Sequence, residues 1–340
     1  ENSALRRQDS KNVDMIGGGV AFRTMKGQLD KVTKSNGRIM LTGAAGVGKE
    51  IAARYIHSQS NRADGPFVTV NSAAIHPDHM ENVLFGRETP GRGVEQGLFE
   101  QAHGGVIYFD EVADMPLGTQ SKILRVLVDQ SFNRVGGTTK VRVDVRVMSS
   151  TTRDLQPEIA AEQFREELYH RLNVVPIEIP SLEDRRDDIP DLVRHFIAEF
   201  NRSQGLPLRE IEDDALAILQ TMSWPGNVRQ LRNVIERLLI LGEGTGVIEA
   251  GDLPRGVVDA HDDGQDVTLS AALTTLPLRE SRELFERHYL MAQINRFGGN
   301  ISRTANFVGM ERSALHRKLK SLGVVTTTKS GARVARMTED

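Results

Sequence analysis

The sequence contains no cysteine, so disulfide bonds and thiolate metal sites are excluded. It also has no apolar run close to the roughly 18 residues of a membrane-spanning helix, and we expect no segment to cross a bilayer. Hydrophobic residues make up 39% and charged residues 26% of the 340 residues, which is ordinary for a globular protein in water. This length is sufficient for two or three domains.

The net charge of −3 says little about partners, but the distribution of charge says more. Residues 301–340 carry eight lysines and arginines and three acidic side chains, so this end has a net charge of +5 on an otherwise acidic chain. A basic end on an acidic body indicates that this end binds a polyanion.

The most informative segment is a glycine-rich octapeptide between an apolar run at 38–41 and a helix-like run at 51–57. Its residues are Gly43, Ala44, Ala45, Gly46, Val47, Gly48, Lys49 and Glu50. Strand, glycine-rich turn and helix are the context of a phosphate-binding P-loop, in which backbone N–H groups and a lysine surround the phosphates. Glu50 stands where the motif has the Ser or Thr that binds Mg²⁺. The alternative is a glycine-rich turn without a ligand, which the flanking pattern disfavours.

A second segment has the form of the other half of such a site. The apolar run Val106–Phe109 is typical of a strand buried on both faces of a parallel sheet, and it ends in Asp110 and Glu111. Asp110 would hold Mg²⁺ through its water shell, and Glu111 would orient and activate a water molecule. The alternative is a buried strand that ends in a solvated acidic turn. The P-loop some 60 residues earlier favours the nucleotide site.

The remaining pattern predicts an α/β core followed by helices. Strands at 67–70 and 141–148 alternate with helical segments such as 120–129, which indicates an α/β sandwich with its ligands at the carboxyl ends of the strands. After Ile189 the strand signal fades, and helices are predicted at 190–203, 212–223 and 228–241 around a turn at 224–227. A helical lid on an α/β core is the outline of an AAA+ ATPase.

The order of these motifs resembles the central domain of bacterial enhancer-binding proteins, the AAA+ activators of sigma-54 RNA polymerase. The resemblance covers roughly residues 14–250, and the segments that carry it are 43–50, 70–75, 109–111, 149–155, 164–172 and 224–229. It implies that the chain binds ATP or ADP with Mg²⁺, and P-loops that end in Lys-Glu are common in this family. Asp110 and Glu50 would then lie near the metal, through water.

The resemblance also implies roles for residues around the nucleotide. Asn71 matches the switch asparagine that pairs with the glutamate, here Glu111. Thr151 matches the first sensor position, where Thr152 replaces the usual asparagine, and Arg229 matches the second sensor, on the phosphates.

Two arginines match the arginine-finger segment of the same family, namely Arg165 and Arg171. On a face presented to a neighbouring subunit, each guanidinium could neutralise charge on the neighbour's γ-phosphate. The alternative is that both arginines form ordinary surface ion pairs.

One departure from the family changes the expected function. Leu84-Phe85-Gly86 is present, but the Gly-Ala-Phe-Thr-Gly-Ala loop that grips sigma-54 is replaced by Arg87–Gly97, which has no such sequence. We therefore expect no remodelling of sigma-54 polymerase. This state resembles NtrX-type response regulators, some of which lack the motif, and implies nitrogen regulation. Residues 1–13 are expected to be a linker helix from a receiver domain missing from this chain, through which a sensor histidine kinase would act.

The carboxyl-terminal part resembles a Fis-type DNA-binding domain. After a flexible linker at 251–276, helices are predicted at 278–297, 301–308 and 311–322, the last two forming a helix-turn-helix around Gly309. The expected DNA contacts share one exposed basic face: Arg312, Ser313, His316, Arg317 and Lys320. The alternative is a solvated charged helix face. The first of these helices has an apolar face that we assign partly to its own domain and partly to a dimer interface.

These observations combine into one expected architecture and function. We expect an AAA+ α/β subdomain at 14–185, a helical lid at 186–250, an all-α helix-turn-helix domain at 277–323 and a disordered tail at 324–340. The protein would be a cytoplasmic two-component transcription regulator that binds ATP and, as a homodimer or higher oligomer, palindromic promoter DNA, with at most weak ATP hydrolysis. The alternatives are a hexamerising ATPase motor that acts on RNA polymerase or another partner, and a nucleotide-sensing scaffold without turnover.

Overall fold

The computed structural model describes residues 14–89, 93–242, 246–253, 278–297, 299–322, 324–329 and 332–337. The chain divides into two compact units, one formed mainly by residues 23–180 and one that joins residues 16–22 to the chain from Ser181 onward. The expected linker helix at 1–13 and most of the expected linker at 251–276 lie outside the described residues. No described helix is long and apolar enough to cross a membrane.

The first unit alternates strands and helices. In chain order its elements are α1 (Val20–Thr33), β1 (Ile39–Thr42), α2 (Lys49–Ser58), β2 (Phe67–Asn71), α3 (Pro77–Phe85), β3 (Arg87–Thr89), β4 (Gly93–Glu95), α4 (Leu98–Gln101), β5 (Val106–Asp110), α5 (Leu117–Asp129), β6 (Ser131–Asn133), β7 (Lys140–Arg142), β8 (Arg146–Thr151), α6 (Leu155–Ala160), α7 (Glu166–Leu172) and β9 (Val175–Glu178).

Five of these strands form one parallel sheet in the order β2-β5-β8-β1-β9. The register places Asn71 opposite Asp110 and Thr42 opposite Thr151, so the carboxyl ends of four strands meet at one edge. Residues 106–109 are wholly buried, as expected for a strand with helices on both faces. The predicted α/β core is confirmed, and its ligand-binding edge is the one from which the P-loop leaves β1.

The predicted strand at 141–148 is wrong as a single element. The chain forms β7 at 140–142, which pairs antiparallel with β6, and enters the sheet only at Arg146 as β8. Residues 141–148 alternate regularly in sequence, but the backbone of Asp144 bonds the preceding loop: its amide donates to His103 Nδ1 (3.1 Å) and its carbonyl accepts from the Gly104 amide (2.9 Å). At the start of β8, the buried Arg146 guanidinium donates to Val32 and Gly37 carbonyls, and burial lowers its pKa to about 10.

The second unit contains the predicted helical lid. Its helices are α8 (Ile189–Gln204), α9 (Asp213–Thr221) and α10 (Asn227–Leu241), close to the predicted limits. Their apolar faces share one core with Trp224, which is 1% exposed and donates from Nε1 to the Leu219 carbonyl (2.9 Å). The 3.6-residue apolar periodicity of these segments therefore indicates the observed helices correctly.

Three helices follow in the same unit, α11 (Leu278–Arg296), α12 (Ile301–Val308) and α13 (Arg312–Ser321). Asn300 caps α12 by accepting a hydrogen bond from the Arg303 amide (3.2 Å), and Gly309 ends it with φ of 72°. Ala305 and Leu315 are buried in the shared core, as predicted for a helix-turn-helix.

The expectation of a disordered tail at 324–340 is corrected for part of it. Strands β10 (Val324–Lys329) and β11 (Ala332–Met337) pair as an antiparallel ribbon. The segment 324–328 is Val-Val-Thr-Thr-Thr, and such β-branched residues favour strands over helix or coil.

Candidate nucleotide and nucleic-acid sites

The predicted P-loop residues 43–48 form the turn between β1 and α2, and Lys49 and Glu50 open the helix. At Gly43 the backbone has φ of 145°, and an added Cβ would lie 2.6 Å from the Ile179 carbonyl oxygen, so only glycine fits. Gly48 caps α2 with φ of 102°, which again favours glycine. The turn therefore delivers the amino terminus of α2, with its partial positive charge, to the sheet edge.

The side chain of Lys49 folds back over this turn and is 7% exposed. Its Nζ donates hydrogen bonds to the carbonyl oxygens of Gly43 (2.9 Å) and Ala44 (3.3 Å). The same Nζ is 3.5 Å from Glu111 Oε1. The structure thus brings together the lysine and the glutamate that the sequence places some 60 residues apart.

The carboxylate of Glu111 is held from a second side by Thr152. Its Oε2 accepts hydrogen bonds from the Thr152 amide (3.0 Å) and hydroxyl (3.0 Å). Glu111 itself has φ of 54° and ψ of 64°, a left-handed conformation that costs a non-glycine residue on the order of 1–3 kcal/mol. The surrounding contacts therefore fix the direction of this side chain against a local backbone preference.

Asp110 is oriented by two hydroxyl groups, one on its own strand β5 and one on the neighbouring strand β8. Its Oδ1 accepts from Ser150 Oγ (2.6 Å) and from Tyr108 OH (3.1 Å), while Tyr108 OH also lies 2.8 Å from Ser150 Oγ. Burial raises the pKa of Tyr108, so its hydroxyl stays protonated and able to donate. Both donors use Oδ1, which leaves Oδ2 for water or a hydrated cation.

Two predicted residues have contacts that differ from the expectation. Asn71 Oδ1 accepts a hydrogen bond from the Ala73 amide (3.1 Å), and no hydrogen bond joins Asn71 to Glu111 among the described residues. Thr151 Oγ1 bonds the Arg153 backbone instead of a site residue. Strand alternation explains the second difference, because Ser150 in β8 and Thr152 just after it lie two residues apart on the same side, whereas Thr151 between them faces the other way. Ser150 and Thr152 are thus functional candidates that the sequence reasoning missed.

Glu50 forms an ion pair within α2. Its Oε1 accepts from Arg54 Nε (2.9 Å) and Nη2 (2.7 Å), and the Arg54 guanidinium lies 4.8 Å from the centre of the Phe67 ring. No group of three or more His, Cys, Asp and Glu side chains that could enclose a metal occurs in the part of the chain that the structure describes. A hydrated Mg²⁺ bound by one or two carboxylates and by phosphates fits this donor set.

The two predicted finger arginines are exposed at the two ends of α7. Arg165 precedes the helix, and its Nε lies 3.4 Å from the Leu117 carbonyl oxygen. Arg171 is in the last turn, where its carbonyl accepts from Arg38 Nη1 (3.4 Å). Burial and the charge of Arg171 lower the pKa of Arg38. Neither finger arginine forms a hydrogen bond or ion pair with Lys49 or Glu111 among the described residues.

Arg229 is exposed in the first turn of α10, in the second unit. The turn that presents it is fixed by Asn227, which has φ of 51° and accepts a hydrogen bond from the Leu182 amide at Oδ1 (2.8 Å).

The five predicted DNA contacts are exposed on α13, namely Arg312, Ser313, His316, Arg317 and Lys320. An open groove of about 830 Å³ runs beside the helix amino terminus and is lined by residues of both α12 and α13, among them Arg312, Ser313 and His316. Lys318 lies off this face and pairs with Glu286 of α11 (2.5 Å), which lowers the pKa of Glu286. The predicted basic stripe is therefore exposed, and it is separate from the Lys318–Glu286 ion pair that joins α13 to α11.

Three segments match known protein families. Residues 15–178 match the family described as Sigma-54 interaction domain, and residues 183–269 match the AAA+ ATPase lid domain. Residues 281–322 match the bacterial regulatory proteins of the Fis family.

The chain is 55% identical over 313 residues to the nitrogen assimilation regulatory protein NtrX of Azorhizobium caulinodans, covering 91% of this chain and 69% of that protein. Its structure is similar to that of NtrX from Brucella abortus in complex with ATP, with a TM-score of 0.82 and 52% identity over 95% of this chain and 73% of that one. The ADP complex of the same protein gives a TM-score of 0.81 and 53% identity, with the same shares of the two chains covered.

Proposed function

The chain belongs to the NtrX-type response regulators of the sigma-54 activator-like AAA+ family, and from this membership we propose that it is a two-component transcription regulator. It binds ATP or ADP in its AAA+ domain and specific DNA through its helix-turn-helix. The observation that carries this proposal is the presence, in one chain, of a buried Lys49 facing Glu111 and an exposed basic stripe on α13. The bound nucleotide would then change how copies of the regulator assemble or are oriented on DNA. We place this activity in the cytoplasm.

The nucleotide site would work through charges that are already in place. Lys49 and the amino terminus of α2 would neutralise the phosphates, and Asp110 would hold hydrated Mg²⁺ through the oxygen that its two hydroxyl donors leave open. Mg²⁺ supplies charge neutralisation on the phosphates when bound. Glu111, kept in place by Thr152, would accept a proton from the attacking water.

Lys49→Ala should weaken ATP binding by about 2–5 kcal/mol, because it removes a buried charge whose hydrogen-bonding partners stay behind. Titration with a fluorescent ATP analogue measures this directly. Lys34→Ala removes an exposed lysine from the same unit and should leave the affinity unchanged. Equal ATP affinity of Lys49→Ala and the parent protein would mean that the P-loop is not the nucleotide site.

DNA binding is proposed to use α13 as the recognition helix, in a homodimer that reads a palindromic promoter site. The stripe at 312–320 alternates with buried Leu315 and Leu319, so the exposed face is held rigidly on the core of this small domain. The exposed pair Phe285 and Tyr289 on α11, with ring centres 6.1 Å apart, supports a contact between two copies.

Arg317→Ala should cost about 1–3 kcal/mol of DNA-binding free energy if its guanidinium reads a base edge. Footprinting and gel-shift titration on upstream promoter regions give the measurement. Arg237→Ala, which removes an exposed arginine from the lid, makes the same charge change outside the helix-turn-helix. An unchanged footprint in Arg317→Ala, or loss of protection in both variants, would contradict the assignment of α13.

We propose that the regulator does not remodel sigma-54 polymerase, because the gripping sequence is absent at 87–97. The described part of this segment includes two three-residue strands, β3 and β4, and the Glu88 amide in β3 donates to the carbonyl of Val135 (2.9 Å), which lies between β6 and β7. The kinase signal would arrive through a receiver domain of the kind that response regulators carry.

A second candidate is a hexameric ATPase motor that acts on RNA polymerase or another partner. The exposure of both Arg165 and Arg171 favours an interface between subunits at which hydrolysis occurs in trans. We propose weak, assembly-dependent hydrolysis, in which these arginines reach a neighbour's γ-phosphate. The motor differs from this proposal in rate and partner, and a scaffold differs from both because it has no turnover.

A further inference from the structure

Gln120 lies in the first turns of α5 and is fully buried. Its Nε2 donates to the Met115 carbonyl (2.8 Å) and to the Gln163 carbonyl (3.0 Å). Its Oε1 accepts from the Arg165 amide (2.8 Å). Both amide protons and the amide oxygen are therefore used, each by the main chain of another segment.

The segments that Gln120 joins have different parts in the proposed chemistry. Met115 ends the short turn that begins at Glu111, since the Asp114 amide bonds the Glu111 carbonyl (3.1 Å) and the Met115 amide bonds the Val112 carbonyl (3.2 Å). Gln163 and Arg165 form the entry to α7, which presents Arg165 and Arg171. One side chain thus links the exit of the catalytic strand to the start of the finger segment.

A second, exposed connection joins the Glu111 turn to the entry of α7. Arg153 follows Thr152, which holds the Glu111 carboxylate, and pairs with both Asp114 and Glu158. The Gln163 amide in turn bonds the Glu158 carbonyl (2.8 Å). A shift of Glu111 or Thr152 would therefore reach the entry to α7 by an exposed ion-pair route and by the buried amide of Gln120.

We propose that Gln120 is a positioning residue that holds the arginine that one subunit presents to its neighbour, with the turn after Glu111 as its fixed anchor. The inference rests on the proposed function, in which Arg165 acts in trans. A residue needed only for packing could be apolar here, whereas the three main-chain hydrogen bonds fix the entry to α7 relative to α5 and to the turn after Glu111.

The test uses mixed assemblies, because a finger fault and a pocket fault lie on opposite sides of a subunit interface. Gln120→Met keeps the side-chain length and removes the three hydrogen bonds. Alone, it should lower ATP turnover by at least about tenfold while ATP affinity stays within about twofold. Lys49→Ala has a defective pocket and an intact finger. In an equal mixture of the two variants, about a quarter of the interfaces combine a correct pocket with a correct finger, so about a quarter of the parent turnover should be recovered.

Arg165→Ala mixed with Lys49→Ala is the reference and should recover equally. If this reference recovers and the Gln120→Met mixture does not, Gln120 is only structural. If neither mixture recovers, Arg165 does not act in trans, and the inference fails together with that part of the proposed function. Full turnover of Gln120→Met alone would overturn the inference while leaving the proposed function intact.

Two further variants separate positioning from folding. Thr119→Val changes a buried neighbour on α5 whose hydroxyl has no hydrogen-bond partner among the described residues, and it should leave turnover unchanged. Gln120→Glu keeps an acceptor for the Arg165 amide. It is used in the mixing experiment in place of Gln120→Met if Gln120→Met does not bind ATP. Amide exchange across 163–172 should rise in either Gln120 variant and not in Thr119→Val. Unchanged exchange there would contradict the proposal.

Discussion

Glu111→Gln is expected to lower ATP turnover by about 10²–10⁴-fold, the usual contribution of a general base, while ATP still binds. The amide keeps the shape of the side chain and an acceptor for Thr152, whose amide and hydroxyl both lie 3.0 Å from Glu111 Oε2. What it loses is the ability to accept a proton and the attraction to Lys49 Nζ, 3.5 Å away. The measurement is phosphate release against protein concentration, with ATP affinity determined in parallel.

A matched control for this substitution is Glu81→Gln. Glu81 also pairs with a lysine, Lys122, but on the exposed surface between α3 and α5. This variant should retain full turnover, since a surface ion pair contributes only about 0–1 kcal/mol to stability. Parent protein that binds ATP without any release of phosphate would favour the scaffold, and equal turnover of Glu111→Gln would exclude Glu111 as the base.

Arg171→Ala is expected to abolish assembly-dependent turnover, with a loss of about 10³-fold or more if its guanidinium stabilises the charge on a neighbour's γ-phosphate. Its side chain is exposed in the last turn of α7 and has no hydrogen-bond partner among the described residues, while its carbonyl accepts from Arg38 (3.4 Å). Alanine keeps that carbonyl, so the fold and the nucleotide affinity of the isolated subunit should be unaffected. Turnover per subunit should rise with protein concentration in the parent and stay flat in the variant.

Arg125→Ala provides the control for charge, because it removes an exposed arginine from α5 of the same unit. Turnover that does not depend on concentration in the parent protein would argue against any finger in trans. A loss in Arg125→Ala as large as that in Arg171→Ala would indicate a general effect of charge on assembly. A high, concentration-dependent rate, lost only in Arg171→Ala, would favour the motor over the weakly hydrolysing regulator.

Much of the nucleotide site could be predicted from sequence because its parts are local. The P-loop needs glycine at fixed positions, and Gly43 and Gly48 do have positive φ. Strand β5 is recognisable because residues 106–109 are buried on both faces and so form an unbroken apolar run. The helix-turn-helix is similarly local, since Ala305, Gly309 and Leu315 lie within one short stretch: Ala305 and Leu315 pack in one core, and the turn needs the positive φ of Gly309.

What surrounds the carboxylates of Asp110 and Glu111 depended on tertiary structure. The sequence by itself determined the α/β core, the lid, the helix-turn-helix and the residues Lys49, Asp110 and Glu111, because spacing along one element records burial and turn geometry. Only the strand order, which places β8 beside β5, decided that Ser150 and Thr152 orient those carboxylates. Only packing decided that Gln120 joins the turn after Glu111 to the entry of α7, because its three partners are main-chain groups, which the identities of those residues do not reveal.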